Sequence, residues 1–134
     1  MVSVDQAEMK RRTKAFALQV VRLTESVPRT RSGDVMARQL VRCATSVGAN
    51  YRAVCRARSR ADFISKLGIA AEEADESLYW MELLVESGAV EEERLADLMS
   101  EANEICAILT SSIKSARTNV SRSKSHISNL TSQI

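Results

Sequence analysis

The side chains with the widest chemical reach in this sequence are its arginines and carboxylates, because the groups that usually run catalysis are sparse. His126 is the only histidine and sits near the C-terminal end, so no imidazole base stands near a Ser or Cys nucleophile. Glu73 with Glu76, and Glu101 with Glu104, have the three-residue spacing a helix uses to present ligands to a di-metal centre. Such a centre takes Glu-x-x-His, however, and no histidine follows either pair. These acids are expected on a solvated or interface face, with no metal and no cofactor. Cys43, Cys55 and Cys106 are odd in number and include no C-x-x-C pair, which points to free thiols in a reducing, cytoplasmic setting. Gly33, Gly48, Gly68 and Gly88 are isolated, so no glycine-rich phosphate loop exists. The reading is a non-enzymatic protein that binds macromolecules.

The arginines are patterned. Arg38, Arg42, Thr45, Ala49, Arg52 and Arg56 follow one another at alternating spacings of four and three, which puts four guanidinium groups on one ridge of a helix. Arg58 and Arg60 extend it. An arginine fork can hold a phosphate at two points, so this ridge could follow an RNA or DNA backbone without reading bases. A second ridge, Glu72, Asp75, Tyr79, Glu82 and Glu86, is acidic. Residues 29–60 carry eight arginines against Asp34 alone, whereas residues 72–104 carry twelve acids against Arg94 alone. The net charge is only +2. Opposite fields of this kind also allow an alternative function, a purely structural or protein-binding homo-oligomer in which the arginines pair with the acidic helices.

These ridges must be carried by helices. Hydrophobic residues make up 45% of the chain while aromatics make up 4%, and one Pro and four Gly leave few turn formers for a sheet. Thr13, Phe16, Val20, Leu23 and Val27 mark the inner line of a first helix over residues 6–27, closed by Pro28. Met36, Leu40, Cys43, Val47, Asn50 and Val54 mark a second, over 34–57, in which Asn50 reads as a buried polar residue fixing register. Ser59-Arg60-Ala61-Asp62 is a capping-box pattern that opens a third helix over 60–87, with Phe63, Leu67, Ala70, Ala74, Leu78, Met81 and Val85 inward and Gly88 at its C-terminal cap. Glu91, Glu92 and Glu93 favour the positive end of a fourth, over 91–117, with Leu95, Leu98, Ala102, Ile105, Leu109 and Ser112 inward. The fold class is all-α, an antiparallel up-down-up-down four-helix bundle in one domain, residues 1–117. Residues 118–134 hold five serines, two bases and His126 and read as a disordered basic tail. No apolar run is long enough to span a membrane.

Beside the core line of the second helix runs another, Ala37, Val41, Ala44, Gly48, Tyr51 and Cys55, rich in small residues that admit a close neighbour. With Trp80 on the third helix, the positions Val41, Ala44, Gly48 and Tyr51 are the candidate contact between copies.

The stretch Gln39-Leu40 with Arg42, Ser46-Val47-Gly48-Ala49-Asn50-Tyr51-Arg52, Cys55-Arg56-Ala57-Arg58-Ser59, Phe63, Lys66-Leu67 and Glu72-Glu73 through Leu78-Tyr79-Trp80 resembles one bacterial family. Its members are the four-helix-bundle proteins found as reading frames in intervening sequences of large-subunit ribosomal RNA genes. The resemblance runs over about residues 8–116. It implies a cyclic homopentamer and a fold similar to the accessory variability determinant of diversity-generating retroelements. That protein binds nucleic acid and a reverse transcriptase through a basic surface, so the resemblance implies the same kinds of partner here. Where many members carry a Glu-Gly pair, this chain has Ala53 and Val54.

Overall fold

The computed structural model describes the backbone of residues 5–132 and the side chains of 5–119. Four helices occur in this span: α1 Gln6–Thr24, α2 Arg31–Val54, α3 Arg60–Glu86 and α4 Glu92–Ser132. Each boundary has a local cause. The Asp5 side chain accepts from the Ala7 amide at 3.0 Å and caps α1. α1 ends at Thr24, three residues before Val27, because Ser26 and Val27 turn back onto Leu23 and Thr24 ahead of Pro28. Thr30 accepts from Gly33 at 2.9 Å and starts α2 earlier than expected. At α3 the Ser59 hydroxyl accepts from Asp62, as the capping box requires, but the Asp62 carboxylate accepts from the amide of Arg58 instead of Ser59. Gly88 has φ +80, the left-handed conformation expected of a helix C-cap.

The short connections make sequential neighbours antiparallel, and the helices close into a bundle in which α1/α2, α2/α3, α3/α4 and α1/α4 pack while the diagonal pairs do not. The core follows the inner lines closely. Phe16, Val20, Leu40, Val47, Leu67, Met81, Leu95, Ile105 and Leu109 are all buried. Met9, Ser77 and Leu84 are buried as well, and Ser77 satisfies its hydroxyl by donating to the Glu73 carbonyl at 2.8 Å. Asn50 departs from its expected role. It is half-buried and its amide donates to the Ser46 carbonyl of its own helix at 2.8 Å, so it fixes no register between helices.

The far end of α4 also differs. The sequence spacing places the end of this helix at Arg117, whereas it continues through Ser132. No Gly or Pro interrupts the segment, so its serines weaken the helix without stopping it.

Candidate nucleic-acid interface

Arg38, Arg42 and Arg52 lie on the exposed face of α2, with exposed Thr45 and Ala49 between them, and Arg56 is exposed in the turn just past its end. At 1.5 Å of rise per residue the helical row from Arg38 to Arg52 spans about 21 Å. Arg58 and Arg60 are exposed at the turn into α3. The six differ in their partners. Arg42 turns sideways to α3, where its terminal nitrogens meet Glu73 at 3.4 Å and Glu76, while its Nε donates to Gln39 at 3.0 Å. Burial pushes the Glu73 carboxyl upward, against the pull of Arg42. Among the described residues, no ion pair ties Arg38, Arg52, Arg56, Arg58 or Arg60 to an acid. Glu72, Asp75, Glu82 and Glu86 likewise stand exposed along α3 without an ion pair among these residues. The two ridges therefore touch within the chain only through Arg42, and at acids beside the acidic ridge.

Three cations missed in reading the sequence for binding residues stand across from the ridge. Lys10, Arg11 and Lys14 of α1 face Arg52 over a groove of about 390 Å³ whose floor is Ala17, Thr45, Gly48 and Ala49. Antiparallel packing of α1 on α2 creates this juxtaposition. The signal was the run of bases opening α1, which becomes meaningful only once α1 lies against the end of α2 that carries Arg52. Their neighbour Arg12 points elsewhere, to Glu101 and Glu104 of α4. Hydrogen bonding to Glu101 raises its already high pKa further.

The groove depends on close approach of the two helices. A Cβ built on Gly48 would lie 3.3 Å from the Thr13 hydroxyl of α1, so glycine lets the backbones meet there. Ala44 and Tyr51 are buried in the core of their own chain, Val41 packs against it, and Gly48 lies against Thr13 of α1. Burial pushes the Tyr51 phenol up to about 12. Trp80 is half-buried against the same core, edge-on to exposed Tyr79 with ring centroids 5.3 Å apart, and its indole N–H is buried without an acceptor. The cysteines are free, with Cys43 buried and its thiol pushed upward by that burial. No cluster of His, Cys, Asp or Glu suited to a metal occurs among the described residues. No described helix is long and apolar enough to cross a membrane.

Comparison with known proteins places this geometry. No curated protein matches the chain. A crystal structure of a protein of unknown function from the S23 ribosomal protein family of Bacteroides thetaiotaomicron VPI-5482 is 39% identical, with a TM-score of 0.74 over 79% of this chain and 98% of that one. The model of the 23S rRNA-intervening sequence protein family matches residues 5–111, all of the bundle up to the last turns of α4 that α3 accompanies. By that match and by its helices, the chain belongs to the 23S rRNA-intervening sequence protein family.

Proposed function

We propose that this protein is a non-enzymatic scaffold that holds RNA or DNA by its phosphate backbone along the arginine ridge of α2. The observation that carries the reading is the set of exposed arginines, Arg38, Arg52, Arg56, Arg58 and Arg60, free of acidic partners in the described chain and joined by Lys10, Arg11 and Lys14 across one groove. A surface of this kind in a chain of net charge only +2 is a local field and not a consequence of overall basicity. Guanidinium and ammonium groups at this spacing engage phosphates without selecting bases, so binding is sequence-tolerant and weakens with salt. The family resemblance adds a cyclic homopentamer working in the cytoplasm, as an accessory to a larger machine such as a reverse transcriptase. Since Ala44 and Tyr51 are buried in the core of their own chain, copies would meet through other surfaces, such as the acidic face of α3 with exposed Ile69 and Tyr79.

Titrating the purified protein against single-stranded and duplex RNA and DNA of mixed sequence, at increasing salt, tests the reading. Binding to all of them that falls steadily with salt is expected. An absence of binding at low salt would leave the alternative, an oligomer in which the arginines meet Glu72, Asp75, Glu82 or Glu86 of a neighbouring copy.

A further inference from the structure

α1 and α2 form the cationic layer of the bundle. α1 carries five bases against Glu8, and α2 carries four against Asp34. α3 reverses the balance, with seven acids against Arg60 and Lys66. Two of the bases of the cationic layer are turned to acids of the chain itself, Arg12 to Glu101 and Glu104, and Arg42 to Glu73 and Glu76. Lys10, Arg11 and Lys14 stand exposed on one bank of the groove between α1 and α2, and Arg52 stands exposed on the other.

The floor between these banks is small and chemically quiet. Ala17, Gly48 and Ala49 carry no polar side-chain atom, and the Thr45 hydroxyl donates to the Val41 carbonyl at 2.7 Å. These four residues leave no side-chain donor free to address a base edge. They also supply no ring on which a base could stack. Of the five aromatic residues of the chain, Phe16 and Tyr51 are buried in the core, Phe63 packs against it, and Tyr79 and Trp80 stand on α3. Proteins that hold single strands without regard to sequence combine a cationic groove with aromatic platforms under the bases. This groove has the first element without the second.

We infer that the groove takes the sugar-phosphate backbone of one strand of a duplex, with phosphates inward between the two banks and bases outward. The inference rests on the phosphate reading given above and narrows it to double-helical nucleic acid. In this orientation the bases of a single strand project into water with no protein surface against them, and ordering that flexible chain has an entropic cost the contacts must overcome. In a duplex the outward bases are already stacked and paired with the second strand, and the backbone arrives rigid. A DNA duplex also presents one charge per about 1.7 Å of its axis, twice the density of one of its strands. Arg38 further along α2 and Arg56 just past its end extend the cationic surface beyond the groove to meet it.

Binding of a mixed-sequence duplex, and of each of its separated strands at the same length and salt, to the full-length protein tests this orientation. The duplex is expected to bind about tenfold or more tightly than either strand, the deficit of a strand that finds no aromatic platform. A smaller margin, or strands that bind more tightly, overturns the inference while leaving the phosphate reading standing. Lys10→Gln/Lys14→Gln should weaken duplex binding and flatten its salt slope by roughly one to two units, since each phosphate contact contributes about 0.9. An unchanged duplex affinity and slope in this variant overturns the groove as the site. Absence of binding by duplex and strands alike overturns the phosphate reading itself, so the two failures are told apart.

Discussion

Arg12 grips Glu101 with two donors, Nε at 2.9 Å and a terminal nitrogen at 2.7 Å from the two carboxylate oxygens, and the same terminal nitrogen lies 2.8 Å from Glu104. This fork ties α1 to α4 across the least extensive of the four helix seams. The Arg12 and Glu101 side chains are only 26% and 28% exposed, so the interaction is less screened than a fully exposed pair. Arg12→Gln is expected to lower stability by about 1–2 kcal/mol, and Glu101→Gln by a similar amount. Urea denaturation of both single variants and the double variant checks this. The coupling term should be clearly non-zero, and additive losses would show that the fork contributes nothing specific.

Val47 is fully buried in the middle of α2. Val47→Asp forces a carboxylate among apolar side chains with no cation beside it, at a cost of about 3 kcal/mol or more. Loss of the helical circular dichroism signal, or a large drop in Tm, is the expected result.

Gly88 adopts φ +80 between α3 and α4, with open space where a Cβ would go. Gly88→Ala therefore meets backbone strain and no clash, and should cost about 1–2 kcal/mol. A Gly68→Ala variant is the control. Gly68 also has open space at its Cβ but lies within α3, so alanine there should stabilise by roughly 0.5–1 kcal/mol. Urea midpoints moving in opposite directions would confirm both assignments.

Tyr51 gives the fold an alkaline limit. Its phenol is held up to about 12 by burial, against 10.0 for the ordinary side chain. A folded-state pKa above the unfolded one means that the contribution is fully present below pH 10 and is lost as pH rises toward 12, because the unfolded chain ionises first. A shift of this size is worth about 2–3 kcal/mol. Tm should fall between pH 10 and 12, and Tyr51→Phe should flatten that fall.

Much of the fold was legible because its punctuation is strong. The Ser59 cap and the left-handed Gly88 each start or stop a helix by a local mechanism, and the core lines of α2 and α4 carry little ambiguity between helix and strand. Two features were ambiguous in the sequence for different reasons. The second apolar line of α2 shows the same small-residue spacing whether another copy or α1 of the same chain lies against it, and the approach of Thr13 to Gly48 required the packing. The end of α4 has no local stop signal, since neither Gly nor Pro follows Arg117, and its extent to Ser132 could not be read from composition. The arginine ridge was legible as a row. That Arg42 is drawn to Glu73 and Glu76 while Arg52 shares a groove with Lys10, Arg11 and Lys14 required the packing.

The account rests on arginines that meet phosphate, and the salt dependence of binding reads that contact directly. Each phosphate neutralised adds about 0.7–0.9 to the slope of log affinity against log salt concentration. The double variant Arg52→Gln/Arg56→Gln should bind mixed-sequence RNA or DNA more weakly, with a slope flatter by roughly one to two units and an unchanged oligomer mass by light scattering. Full affinity with an unchanged slope, accompanied by a loosened oligomer, would contradict the account and assign the ridge to assembly.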